Sequence, residues 1–83
     1  MQTQIDEVKT LLLQRIHKRF LGKFDGNNRK FAIEVGCDEK TVRDLFSQKH
    51  GMTMNLFFKI ALALDISPSE LLDGLEFKKK PPQ

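Results

Sequence analysis

The stretch Asn28 to Ser47, NRKFAIEVGCDEKTVRDLFS, decides how this chain folds. Read by period it is two short helices joined by a tight turn. In the first, Phe31, Ala32 and Val35 fall on one face at helical spacing. Gly36 then stops it, because glycine enters the left-handed backbone region without a side-chain clash. Asp38 is placed to cap the next helix by accepting a backbone N–H from its first turn. In that second helix Val42, Leu45 and Phe46 fall on one side, and Glu39, Lys40, Arg43 and Asp44 on the other. The reading is a short helix held by apolar contacts behind and presenting charge in front.

The flanking sequence extends the pattern. Thr3 with Asp6 three residues on has the form of a capping box for a first helix. Its core stripe is Ile5, Val8, Leu12, Ile16 and Phe20. Leu11, Leu13 and Leu21 lie beyond that stripe and either widen it or leave apolar surface for a partner. Arg15, Lys18, Arg19 and Lys23 are either a solvated face with cations suited to a helix C-terminus or groups that approach phosphates. GKFDGN, residues 22–27, reads as a loop anchored by Phe24, with Asn27 as N-cap of the second helix.

After Ser47, the residues Gln48-Lys49-His50-Gly51 form a surface turn. Thr53 caps a fourth helix whose apolar face is Leu56, Phe57, Ile60, Ala61 and Leu64, with Phe58 and Leu62 pointing elsewhere. Ser67 at N-cap, Pro68 at N1 and Glu70 at N3 start a fifth helix that Gly74 ends.

The chain has 83 residues, enough for one small core. Hydrophobic residues make up 40%, with no Trp or Tyr, so Phe and Leu must fill the interior. The net charge of +3 is compatible with an anionic partner. One Cys excludes an internal disulfide, and no segment reads as a signal peptide or membrane span. A reducing cytoplasm is therefore expected. Residues 1–77 read as the domain and 78–83, KKKPPQ, as a disordered basic and proline tail.

The spacing in the opening stretch is more specific than amphipathicity alone. Ala32 is small where two helices would cross, Gly36 follows four residues later, and Val42 lies six beyond and can pack back on Ala32. With Asn28, Phe31, Val35 and Leu45 this pattern resembles the helix-turn-helix of the lambda-repressor-like family, also called the Cro or XRE family. Ile60-Ala61-Leu62-Ala63-Leu64 and DISPSELLDG, residues 65–74, resemble its fourth and fifth helices. The resemblance covers Asn28 to Gly74 closely and the first helix more loosely. It implies an all-α, five-helix DNA-binding domain.

It also implies a site. The second helix of such a motif lies in the major groove, where base pairs show distinguishable donors and acceptors. Glu39, Lys40, Thr41, Arg43 and Asp44 then contact bases, with Lys40 donating to a guanine and Glu39 accepting from a cytosine amino group. Asn28, Arg29, Ser47, Lys49 and Thr53 grip phosphates, and Lys30 is a further candidate. The two carboxylates depart from what a polyanion favours. Glu39 and Arg43, at i and i+4, are also spaced to pair with each other. Phe46 stands where many members carry Glu.

The function implied is a small transcriptional regulator, a repressor that occupies a palindromic double-stranded operator as a homodimer. Phe58, Leu62, Leu75, Phe77 and the outer leucines of the first helix are available for pairing, unless Phe58 and Leu62 complete the monomer core. The alternative is a protein-interaction module of the same fold, antitoxin-like or adaptor. No cofactor, metal or small-molecule ligand is expected. Cys37 reads as a small apolar filler, His17 as exposed and His50 as a surface loop residue. No nucleophile set, carboxylate pair or phosphate-cradling loop is evident, so the chain does not read as an enzyme.

Overall fold

In the computed structural model, residues 2–49 and 51–76 are described, the side chains of Gln2 and Thr3 excepted. They form five helices: α1 (Gln2–Phe24), α2 (Asn28–Val35), α3 (Glu39–Phe46), α4 (Met54–Ala63) and α5 (Pro68–Leu72). No strand occurs among the described residues, so this part of the chain is all-α. Helix α2 packs on α1, α3 and α4, and α5 packs on α1 and α4.

Helices of eight residues are marginal alone, so α2 and α3 depend on what they bury. Phe31, Ala32 and Val35 of α2 and Val42 and Leu45 of α3 are all buried, as the opening stretch predicts. Around them an aromatic cluster ties three helices together. Phe20 of α1 lies 5.0 Å from Phe31 and 5.1 Å from Phe46 between ring centres, and Phe24 lies 5.2 Å from Phe31. Such tilted ring pairs add attraction beyond the area they bury. Ile60 and Ala61 of α4 and Leu71 of α5 close the core.

The turn between α2 and α3 is built by Gly36 at φ 85° and ψ 38°. Its N–H and that of Cys37 both donate to the Ala32 carbonyl, at 2.8 and 3.0 Å. Three predicted caps form. Asn27 accepts from the Lys30 N–H, Thr53 from Leu56 and Ser67 from Glu70. Asp38 does not: it holds the N-cap position with extended backbone, but its carboxylate takes no cap hydrogen bond.

Helix α1 departs from expectation at both ends. Its backbone is already helical at Gln2, so Thr3 lies inside the helix rather than at its N-cap, and the Thr3 side chain lies outside the described ones. At the other end the predicted loop at residues 22–27 shrinks to residues 25–27. The helix runs through Gly22 because the residues beyond it find partners. Lys23 donates to the Ala63 carbonyl and Phe24 packs on Phe20 and Phe31. These contacts outweigh the roughly 1 kcal/mol cost of an interior glycine. Asp25 and Gly26, both at positive φ, then turn the chain.

The stripe of α1 is widened by Leu13, with Leu12 still packed against the core. Leu13, Ile16 and Phe20 are buried, Leu12 is half-buried, and Ile5 is exposed. Leu13 thus belongs to the core, whereas Leu11 and Leu21 stay on the surface. On α4 the exposed Phe58 and Leu62 do not complete the monomer core. Residues 77–83, which include Phe77 and the predicted tail, and His50 lie outside the described residues. Among the described residues no helix is long and apolar enough to cross a membrane.

Candidate functional site

Helix α3 is an eight-residue rod with sharply divided sides. Val42 and Leu45 are buried, and Phe46 packs half-buried against Phe20 and the edge of His17, 4.8 Å away. These contacts fix the rotation of the rod. At the helical period that rotation sends Glu39, Lys40 and Arg43 outward, and all three are exposed. Thr41 and Asp44 sit at the edges and are half-buried. No ion pair joins Glu39 to Arg43 among the described residues, so both side chains remain available at the surface.

The end of α3 is locked by hydrogen bonds. The Ser47 hydroxyl and the Lys49 N–H both donate to the Asp44 carbonyl, at 3.2 and 2.8 Å. Gln48 takes the left-handed region at φ 62°, and its side-chain oxygen lies 3.4 Å from the Thr10 hydroxyl of α1. Asp44, Ser47 and Lys49 are thereby brought together, with the Ser47 and Lys49 side chains exposed. Thr53 is exposed too, but its oxygen already serves as the α4 cap. At the start of α2, Asn28 is half-buried while Arg29 and Lys30 are exposed. The cations Arg29, Lys30, Lys40, Arg43 and Lys49 outnumber the carboxylates Glu39 and Asp44 in this set.

The basic residues of α1 divide differently. Arg15 donates through Nη1 to the carbonyls of Leu71, Asp73 and Glu70, at the C-terminal end of α5. Lys23 does the same for α4, with Nζ 2.9 Å from the Ala63 carbonyl. Helix C-termini leave carbonyls without intrahelical partners, and these two cations supply them. Lys23 stands in the last turn of α1, as the sequence suggests, and Arg15 and Lys23 also serve the ends of α5 and α4. Lys18 and Arg19 are exposed. Sequence reasoning missed these long-range caps, because nothing local links Arg15 to Leu71.

Cys37 sits half-buried in the turn, packed against the core. Burial pushes its thiol up from the ordinary value of 9.0; the Asp38 carboxylate adds to the rise and Lys59 opposes it. A thiol held neutral is a weak nucleophile and a weak metal ligand. Among the described residues no group of three His, Cys, Asp or Glu could hold a metal.

A second surface feature has no counterpart in the sequence reading. An open groove of about 960 Å³ runs between α1, the α3–α4 connection and the helices α4 and α5. Met54 and Leu72, which line it, are exposed, as is Phe58. Part of the signal was present in the sequence: Met54 and Phe58 are spaced i, i+4, apart from the core stripe of α4.

No protein-family profile, curated protein or solved structure matches the chain.

Proposed function

We propose that the chain is a small, sequence-specific binder of double-stranded DNA that acts as a repressor by occupying an operator. The observation that supports this most is the division of α3. Its back is buried and fixed by α1 and α2, while Glu39, Lys40 and Arg43 stand free in front. One helix of this width fits the major groove, where such side chains meet base edges. In this reading α2 and α3 form a lambda-repressor-like helix-turn-helix. Lys40 donates to a guanine, Glu39 accepts from a cytosine amino group, and Thr41, Arg43 and Asp44 flank them. Asn28, Arg29, Ser47, Lys49 and the backbone N–H groups near Thr53 position the duplex without reading it.

A single domain covers few base pairs, so operator binding falls to a homodimer over two half-sites about one turn, roughly 34 Å, apart. Leu62, 83% exposed on α4, and the half-buried Leu75 beyond α5 supply apolar surface for pairing. The chemistry required is binding alone, with no catalytic step.

Titrating a random-sequence duplex at two salt concentrations tests the reading. Each neutralised phosphate releases counterions, so affinity falls steeply as salt rises. Absence of binding, or binding indifferent to salt, rejects it.

A further inference from the structure

We propose that the groove between α1, the α3–α4 connection, α4 and α5 docks an amphipathic helix of a partner protein, with acidic residues flanking its apolar face. The floor and walls are Leu12, Met52, Met54, Phe57, Phe58 and Leu72. Met54 is 72% exposed, Phe58 47% and Leu72 46%, so large apolar side chains of the groove stand open to water. Surfaces of this kind mark interaction sites. Two methionines make it adaptable in shape.

Charge selects the occupant. The rim carries Lys9, Lys49 and Asp6. Asp6 has a partner of its own. The ammonium groups of Lys9 and Lys49 make no hydrogen bond among the described residues and face outward. A segment with carboxylates beside its apolar anchors matches that rim, and a basic one is repelled. Backbone chemistry selects its form. A helix satisfies its own N–H and C=O groups, so it needs no backbone partner from the walls, and no strand edge offers one among the described residues.

The groove shares Lys49 and Thr53 with the phosphate grip assigned above. One ammonium group cannot pair fully with a partner's carboxylate and a phosphate together. The docked helix and DNA therefore compete, a consequence that rests on the DNA-binding reading; the docking itself does not.

The test uses the full chain and a fluorescent synthetic helix with Leu and Phe at i, i+3, i+4 and i+7 and Glu beside them. A control peptide carries Lys in place of each Glu. The acidic peptide is expected to bind at least about tenfold more tightly than the control. Met54→Glu, at an exposed position, abolishes that binding, Lys9→Glu removes the preference, and duplex DNA displaces the peptide. Equal affinity for the two peptides, or binding that survives Met54→Glu, overturns the proposal. So does sedimentation showing a dimer that Met54→Glu dissociates, because a second copy then fills the groove, or binding of a fatty acid but not the peptide. Duplex binding without peptide binding removes the groove proposal alone. Peptide binding without duplex binding removes the DNA reading and leaves the docking site standing.

Discussion

The guanidinium of Arg15 donates to the carbonyl of Leu71 at 3.0 Å, across 56 residues of sequence. One side chain in the middle of α1 thus holds the end of the last helix, with the Asp73 and Glu70 carbonyls as further acceptors. Helix α5 has five residues and cannot persist unaided.

Arg15→Ala is expected to destabilise the fold by about 1–2 kcal/mol, the range of a charge-assisted hydrogen bond at a partly exposed site. Urea unfolding followed by circular dichroism measures it. Arg15→Lys, which keeps the charge but loses the planar fork, falls between. Equal stability of all three proteins would show that the α5 end is satisfied by water instead.

Gly36→Ala tests the turn. Beyond its own chain neighbours no atom lies within 4 Å of where a Cβ would stand, so the cost comes from the left-handed backbone. The expected loss is about 1–2 kcal/mol. Thermal unfolding reads it, and a variant as stable as the parent would mean the turn relaxes at no cost.

Cys37 gives a pH prediction. Its pKa is raised in the folded state, so between 9.0 and the folded value the native thiol keeps a proton that the unfolded one has lost. Stability then falls as pH rises above about 9, and Cys37→Ser removes that part of the slope. At pH 8 the native thiol should react with iodoacetamide more slowly than the same thiol in urea. A faster native reaction would contradict the burial argument.

Much of this architecture could be read from the residues. The spacing of Phe31, Ala32, Val35, Val42 and Leu45 locates α2, α3 and their shared core, and Ser67-Pro68 and Thr53 mark helix starts correctly. These are local signals: period, caps and a glycine turn. What escaped is long-range. Gly22 looks like a loop residue until Lys23 reaches Ala63 and Phe24 reaches Phe31. Leu12 and Leu13 differ by one position in the stripe, and only the packing of α1 against its neighbours chooses Leu13. The exposed side chains of α3 follow directly from the period, because the buried side is unambiguous. The groove beside Met54 needs four chain segments to meet, so the i, i+4 spacing of Met54 and Phe58 alone could not show its walls.

Sedimentation tests the proposed pairing. Leu62→Glu, at the most exposed large apolar side chain on α4, should convert a dimer to a monomer while leaving helicity unchanged. It should also weaken binding to a two-half-site duplex far more than to a single half-site. A dimer that tolerates Leu62→Glu would place the contact elsewhere.

In the proposed function α3 reads base edges with Lys40. The most direct test compares Lys40→Ala with the parent, on a duplex selected from a random pool and on an unselected duplex, at fixed salt. The expected loss is about 1–3 kcal/mol on the selected duplex and much smaller on the unselected one. Equal losses on both would make Lys40 a phosphate contact, and no loss on either would contradict the placement of α3 in the groove.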